Sequence, residues 1–246
     1  MKHVLLIVGV FIVFLSCETK SKEQEVIDRA IEEHGGKAYE QVKVSFDFRK
    51  IHYEVLKTPE RYEYIREFDD SLGRVKDILN NEGFRRLVDG QEVQVTDERR
   101  QAYSNSVNSV AYFALLPYGL NDAATQKEWV RETEMEGNFY DVIYVNFLED
   151  GGGEDFEDEF LYWINRETDR MDFLAYTFHT EGGGVRFRKA VNQRIIDGVL
   201  IQDYENYMPT GAEKRPPLDK MEYLYISGGL ELLSEIQLKN VKVEWL

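Results

Sequence analysis

One short stretch, residues 150–160, concentrates acidic groups that could do chemistry. It runs DGGGEDFEDEF and holds six acidic side chains and three glycines, which would suit a metal site, a catalytic carboxylate pair or an exposed turn. An EF-hand loop starting at Asp155 would need glycine at position six and glutamate at position twelve. Phe160 and Arg166 stand there instead, so we expect an exposed loop and no resident metal. A surface calcium ion is the alternative, with these candidate ligands: Asp155, Glu157 and Asp158.

No residue can be selected as catalytic. Nucleophilic hydrolysis needs a histidine beside an activated nucleophile, and no serine in a nucleophile-elbow motif accompanies His34, His52 or His179. A glycosidase needs two carboxylates held across a sugar, but with 46 Asp and Glu residues any pair could be nominated. We therefore predict a non-catalytic protein and keep a glycan-acting hydrolase as the third hypothesis.

Arginines in the segment GGGVRFRKAVNQR could bind an anion. Arg186, Arg188 and Arg194 share one side of a predicted strand, opposite Val185 and Phe187. Guanidinium groups hold carboxylates and phosphates through paired hydrogen bonds, so Arg186 and Arg188 are candidates for contacting a lipid headgroup. The alternative is a solvated strand face whose arginines pair with nearby acids.

The charge of the chain limits its partners. Lys and Arg number 30 and Asp and Glu 46, which gives a formal charge of −16. Non-specific nucleic-acid binding needs an excess of clustered cations, so we predict no nucleic-acid partner. The glycine runs 151–153 and 182–184 lead into strand-like sequence, not into a helix, and we predict no cofactor.

The N-terminus predicts export and a lipid anchor. An almost unbroken apolar run of twelve residues, 4–15, has the length of a signal-peptide core and is too short to span a bilayer. Cys17, the single cysteine, resembles the lipidated cysteine of bacterial lipoproteins, which becomes the first residue after cleavage. The predicted segments are a signal peptide at 1–16, a lipidated tether at 17–24 and a folded domain at 25–246. A plain secretory signal with a chance cysteine is the alternative.

One helix followed by many strands is predicted after the tether. Apolar residues recur at helical spacing from Val26 to Ile31, and Gly35 ends the helix after His34. We interpret His34 as a cation at the negative end of the helix dipole. The hydrophobic period then changes to two, which predicts about ten strands. The predicted turns are a bulge or bend at Arg49–Lys50, hairpins at Asp89–Gly90 and Asp197–Gly198, and a connection at 165–170.

A single apolar helix interrupts the strands and carries most candidates for ligand binding. The apolar stripe lies within 106–116, Ser104 to Ser106 are candidate caps, and Pro117 stops the helix. Candidates for lining a cavity are Val107, Val110, Ala111, Tyr112, Phe113, Ala114 and Leu115 in the helix, with Trp163, Phe173 and Tyr176 in the strands. A dry, filled core would show the same alternation, so both interpretations stay open.

The order of these segments resembles the lipoprotein-carrier superfamily of LolA and LolB. The segment YWINRETDRMDF is similar to a hairpin between two central strands of those proteins, with Asp169 where glycine is common. More narrowly, SVNSVAYFALLPYGLND and GGGVRFRKAVNQR resemble a DUF6503-like family of Bacteroidota lipoproteins across residues 25–246. The resemblance implies a mainly β (α+β) fold: a single curved antiparallel half-barrel with an N-terminal helix and the central apolar helix as lid or plug. Carriers of this kind hold acyl chains on the concave face.

These observations predict a periplasmic lipoprotein anchored to the outer membrane through lipidated Cys17. We expect a monomer that binds a lipid or another hydrophobic small molecule in the half-barrel cavity. The second hypothesis is a structural or partner-binding envelope lipoprotein with a filled core.

Overall fold

The computed structural model describes residues 20–149, 157–179, 182–211 and 215–246. These residues form fourteen strands and three α-helices, in place of about ten strands and two helices. The helices are α1 (Lys22–His34), α2 (Asp97–Leu115) and α3 (Met221–Ile226). The mainly β class is confirmed. The predicted signal peptide and Cys17 lie outside the described residues.

Two seven-stranded antiparallel sheets make up the body of the protein. The first has the order β14-β1-β2-β3-β4-β5-β6. Its strands are β1 (Val42–Phe48), β2 (Ile51–Lys57), β3 (Tyr62–Asp70), β4 (Gly73–Asn80), β5 (Gly83–Val88), β6 (Gln91–Val93) and β14 (Leu238–Trp245). The second has the order β13-β12-β11-β10-β9-β8-β7. Its strands are β7 (Thr125–Met135), β8 (Asn138–Phe147), β9 (Phe160–Asn165), β10 (Met171–Phe178), β11 (Gly184–Ile196), β12 (Val199–Pro209) and β13 (Leu230–Ile236).

The two sheets are joined where β13 passes into β14. Only Gln237 separates these strands, so one extended segment pairs with β12 in the second sheet and with β1 in the first. The Leu238 amide donates to Asp203 at 2.9 Å, and Arg194 donates to the Leu238 carbonyl at 2.7 Å. Strands β6 and β7 form the outer edges, and the sheets do not close into a barrel.

Tight turns fix the pairing of the strands. The hairpins at Asp89–Gly90 and Asp197–Gly198 form as predicted, and all four residues have positive φ, which Asp-Gly pairs adopt readily. The prediction of a bulge at Arg49–Lys50 was wrong. Phe48 pairs with Ile51 across β1 and β2, so Arg49–Lys50 is the two-residue turn of a hairpin. The change in hydrophobic parity marks a new strand and not an extra residue in one strand.

Helix α1 packs one apolar side against the second sheet. Val26, Ile27 and Ala30 are buried there, and the helix begins at Lys22, so the last residues of the predicted tether are helical. His34 is fully buried, and its Nδ1 lies 2.8 Å from the Ala30 carbonyl oxygen. Burial lowers the pKa of His34, so the interpretation of this side chain as a cation at the helix end was wrong.

Helix α2 links the two sheets and lies on their concave side. It begins nine residues earlier than predicted, because Thr96 caps it by accepting a hydrogen bond from the Arg99 amide at 3.4 Å. The first turns are polar, and an apolar stripe could not reveal them. Buried side chains of its C-terminal half pack on the first sheet, and its aromatic side chains pack on the second. Val107, Ala111 and Leu115 pack on the first sheet, and Tyr112 and Phe113 pack on the second.

The opposite face of the second sheet is covered by α3, which the sequence analysis missed. Met221 is fully buried against that face, together with Trp163. The Glu222 carboxylate accepts hydrogen bonds from the Trp163 indole at 2.8 Å, from Arg131 at 2.7 Å and from Thr133 at 2.6 Å. Strand β9 of the second sheet is therefore buried on both faces.

Candidate ligand-binding cavity

A cavity of about 390 Å³ lies between α2 and the concave side of the sheets. Small-molecule sites span roughly 300–1,000 Å³, so this volume stands near the lower end. The apolar and aromatic lining consists of Phe48, Ile51, Tyr53, Val110, Phe113, Ala114, Tyr204, Ile236 and Leu238. The polar lining consists of Arg49, Arg66, Ser106, Ser109, Arg188, Gln202, Asn206 and Ser234. The interior is amphipathic, with apolar and cationic regions.

Burial distinguishes the inner end of the cavity from its mouth. Gln202, Tyr204 and Asn206 on β12 and Arg188 on β11 are all buried. Arg49, at the tip of the β1–β2 hairpin, is exposed. Exposed lining residues therefore lie at that hairpin and at Ser106 of α2, and buried polar lining residues lie on β11 and β12.

Arg188 is the most unusual residue of the lining. It is 8% exposed, and its guanidinium carbon lies 3.9 Å from the ring centre of Phe113 and 5.0 Å from that of Tyr176. One guanidinium nitrogen, Nη2, donates to the Tyr176 hydroxyl at 2.7 Å, while Nε is buried without a hydrogen-bond partner. Within the described parts of the chain, Arg188 makes no ion pair. Its charge is balanced only by aromatic faces and one hydroxyl.

A second cationic group lies between the first sheet and α2, where Arg66 and Arg86 share the carboxylate of Asp77. Asp77 is fully buried and accepts from Arg86 at 2.6 and 2.8 Å and from Arg66 at 2.7 Å. Arg66 also donates to the Ser106 hydroxyl of α2 at 2.7 Å. Arg86 lies over the Tyr103 ring at 3.6 Å. Two cations against one anion leave a net positive charge of one beside the cavity.

The structure brings only part of the predicted set to the cavity. Val110, Phe113 and Ala114 of α2 line it, as does Arg188. The other α2 candidates point away from the cavity. Val107, Ala111 and Leu115 pack on the first sheet. The Tyr112 hydroxyl lies 2.5 Å from the Tyr162 hydroxyl of the second sheet. Tyr176 stands behind the lining, in contact with Phe113 and Arg188.

Three predicted residues lie away from the cavity. Trp163 on β9 and Phe173 on β10 point to the opposite face of the second sheet, because they alternate with Tyr162 and Leu174, which lie on the α2 side. Arg186 lies over the Phe178 ring at 4.7 Å and is not part of the lining. The interpretation of this arginine face as solvated was wrong for Arg188, which is buried.

Several lining residues were missed, although a signal was present in the sequence. In RYEYIREF, Arg66 shares its strand side with Tyr62, Tyr64 and Phe68, and a cation on an aromatic side is unusual. In IQDYENY, Gln202 and Asn206 likewise share a side with Tyr204. Polar residues placed among aromatic ones on one side of a strand could have indicated the lining.

The candidates for calcium binding do not assemble among the described residues. Asp155 lies outside them, and Asp158 pairs with His179 at 3.0 Å. The described residues contain no group of three or more His, Cys, Asp or Glu placed to hold a metal ion. None of the described helices combines the length and the apolar character needed to cross a membrane.

Fold and cavity together define an open, mainly β protein with a helix-covered pocket of ligand size. The chain belongs to DUF6503, a family of unknown function whose profile matches residues 2–238. The resemblance to DUF6503 predicted from the sequence is confirmed. None of the curated proteins matches the chain.

Solved structures that resemble the chain belong to the LolA superfamily and to other groups. A LolA superfamily protein from Nitrosomonas europaea is 10% identical, with 92% of each chain covered and a TM-score of 0.47. A DUF1329 family protein from Desulfovibrio piger is 9% identical over 91% of this chain and 93% of that one, with a TM-score of 0.42. A domain from Vibrio parahaemolyticus, named for outer membrane lipoprotein sorting, is 7% identical over 91% and 94%, with a TM-score of 0.41.

Proposed function

We propose that this protein is a non-catalytic lipoprotein of the cell envelope that binds a hydrophobic ligand in the cavity beneath α2. The cavity itself is the observation that carries the proposal. Apolar atoms of Val110, Phe113 and Ala114 face Ile51 and Leu238 across a space of about 390 Å³. Burial of apolar surface contributes roughly 25 cal/mol per Å², so an alkyl chain binds there without any catalytic group.

The location is part of the same proposal. We place the domain in the periplasm, as a monomer anchored to the outer membrane by a lipidated Cys17. The support is the apolar run at 4–15 followed by the single cysteine of the chain. Each buried CH₂ of an attached acyl chain contributes about 0.8 kcal/mol to membrane binding, so several chains hold the protein firmly. Mass spectrometry of the N-terminal peptide from the envelope fraction tests this: an unmodified Cys17 would contradict it.

Ligand binding is tested on the full chain in digitonin, a detergent without an alkyl chain. Solvent extraction of the purified protein followed by mass spectrometry should recover a hydrophobic compound. A fluorescent fatty-acid analogue should also bind, and Ala114→Trp should weaken its binding at least tenfold by filling the cavity from α2. Ala102→Trp is the matched control, because Ala102 is an exposed residue of the same helix.

The two tryptophan variants separate a cavity from a filled core. Equal binding by wild type, Ala114→Trp and Ala102→Trp would mean that the probe binds elsewhere. Absence of both extracted lipid and probe binding would refute the proposal and favour a structural or partner-binding lipoprotein.

A further inference from the structure

We infer that the ligand is an amphiphile with one alkyl chain and an anionic oxygen headgroup, and that the headgroup lies inside the cavity on Arg188. This inference rests on the proposed function and names the class of ligand. The charge of the lining is the first observation. Among the described residues that line the cavity, three are arginines and none is aspartate or glutamate, in a chain with a formal charge of −16.

Among the described residues, Arg188 is the one lining arginine that is both buried and without a carboxylate partner. Arg66 shares Asp77 with Arg86, and Arg49 is exposed at the mouth. An unpaired buried charge is costly, and arginine cannot escape the cost by losing its proton. The Tyr176 hydroxyl and the Phe113 ring replace only part of the lost hydration. A bound anion would supply the missing partner through paired, charge-assisted hydrogen bonds.

A second unpartnered group stands beside Arg188 on the next strand. Asn206 pairs with Arg188 across β11 and β12, is 7% exposed, and donates to the Ser234 hydroxyl at 3.2 Å. Its Oδ1 is buried without a partner, as is Arg188 Nε. Buried polar groups are almost always satisfied, so the open Arg188 donor points to an acceptor oxygen of the headgroup, and the open Asn206 acceptor points to a donor group next to that oxygen.

The shape of the cavity sets the orientation and the number of chains. Arg188 and Asn206 lie at the buried inner end, and the half-buried apolar residues Phe48, Ile51 and Leu238 lie towards the mouth. We therefore place the headgroup against β11 and β12 and the alkyl chain along the apolar wall formed by Phe48, Ile51 and Leu238. A volume of about 390 Å³ is near the lower end of the range of roughly 300–1,000 Å³ for small-molecule sites, which favours one chain over two.

The test compares matched ligands on the full chain in digitonin by isothermal titration calorimetry. Dodecanoate and monododecyl phosphate should each bind at least tenfold more tightly than 1-dodecanol, which has the same chain and no charge. Inorganic phosphate without a chain should not bind at millimolar concentration. The dodecanoate and dodecyl phosphate arms decide between carboxylate and phosphate headgroups, and preference for either supports the inference.

Two variants assign the preference to Arg188. Arg188→Met keeps the length of the side chain and removes its charge, so it should abolish the tenfold preference and leave the affinity for dodecanol unchanged. Arg186→Met, two residues away and outside the lining, should keep the preference. Circular dichroism checks folding. If Arg188→Met does not fold, the comparison of the three ligands on the wild type still decides the inference.

Each outcome has a separate meaning. Equal affinity of the wild type for dodecanol and dodecanoate would overturn the inference and leave the proposed function standing. Binding of none of the three alkyl ligands would overturn the proposed function itself. An anion preference that persists in Arg188→Met would place the headgroup elsewhere and also refute the inference.

Discussion

Replacement of Asp77 by asparagine would measure how much the Asp77 carboxylate contributes to stability by pairing with Arg66 and Arg86. Asp77 is fully buried, and the side chains of Arg66 and Arg86 that donate to it are 8% and 10% exposed. Asp77→Asn keeps the shape of the side chain but leaves two buried guanidinium groups without an opposite charge. Removal of one partner from a buried ion pair costs about 3–5 kcal/mol, and we expect a loss of unfolding free energy in that range.

Equilibrium unfolding in urea, followed by tryptophan fluorescence, measures this loss, since Trp163 is fully buried. With a urea dependence of about 2–3 kcal/mol per M, the midpoint should fall by about 1–2.5 M. Asp69→Asn is the control, because Asp69 is exposed near the end of the same ladder, and such changes stay within about 0.5 kcal/mol. A loss below about 1 kcal/mol for Asp77→Asn would refute the reasoning. It would mean that water or neutral hydroxyls already satisfy both arginines.

Two further predictions concern buried groups of the core. Burial lowers the pKa of His34, so the unfolded chain binds the proton more readily, and stability should fall as the pH drops below about 6.5. His34→Gln should flatten this fall between pH 7 and 5 in urea titrations; an unchanged slope would contradict the assignment. Tyr112→Phe leaves the buried Tyr162 hydroxyl without its partner at 2.5 Å and should cost about 1–3 kcal/mol, whereas the double variant with Tyr162→Phe should recover most of that loss. Losses that simply add in the double-mutant cycle would argue against a shared hydrogen bond.

Local turn chemistry was readable from the sequence because it depends on neighbouring residues alone. Asp-Gly pairs predicted two hairpins, and the structure has both. In the predicted connection at 165–170, Asp169 adopts a φ of 55°, the left-handed conformation that glycine favours and aspartate tolerates. By contrast, the start of α2 was missed because its first turns lack apolar residues, and only the cap at Thr96 marks it.

The cavity was only partly predictable, because alternation shows which residues share a strand face but not which face is concave. Trp163 and Tyr162 are adjacent and both fully buried, yet only the Tyr162 side faces α2. Strand β9 is buried on both faces, so its burial could not show which face lines the cavity. Arg188 stands between Leu174 and Asn206 on the neighbouring strands, whereas Asp203 and Glu205 of β12 alternate to the other side of their strand. This arrangement is a property of strand pairing that one segment of sequence does not reveal.

The segment that passes from β13 into β14 also decides when the protein can fold. Its second half pairs with β1, about 200 residues earlier in the chain, and contacts of such long sequence separation slow folding. Until that segment is available, β1 lacks its partner β14 in the first sheet, and β12 lacks its partner β13 in the second sheet. We therefore expect both sheets to complete their assembly only after β14 has been synthesised.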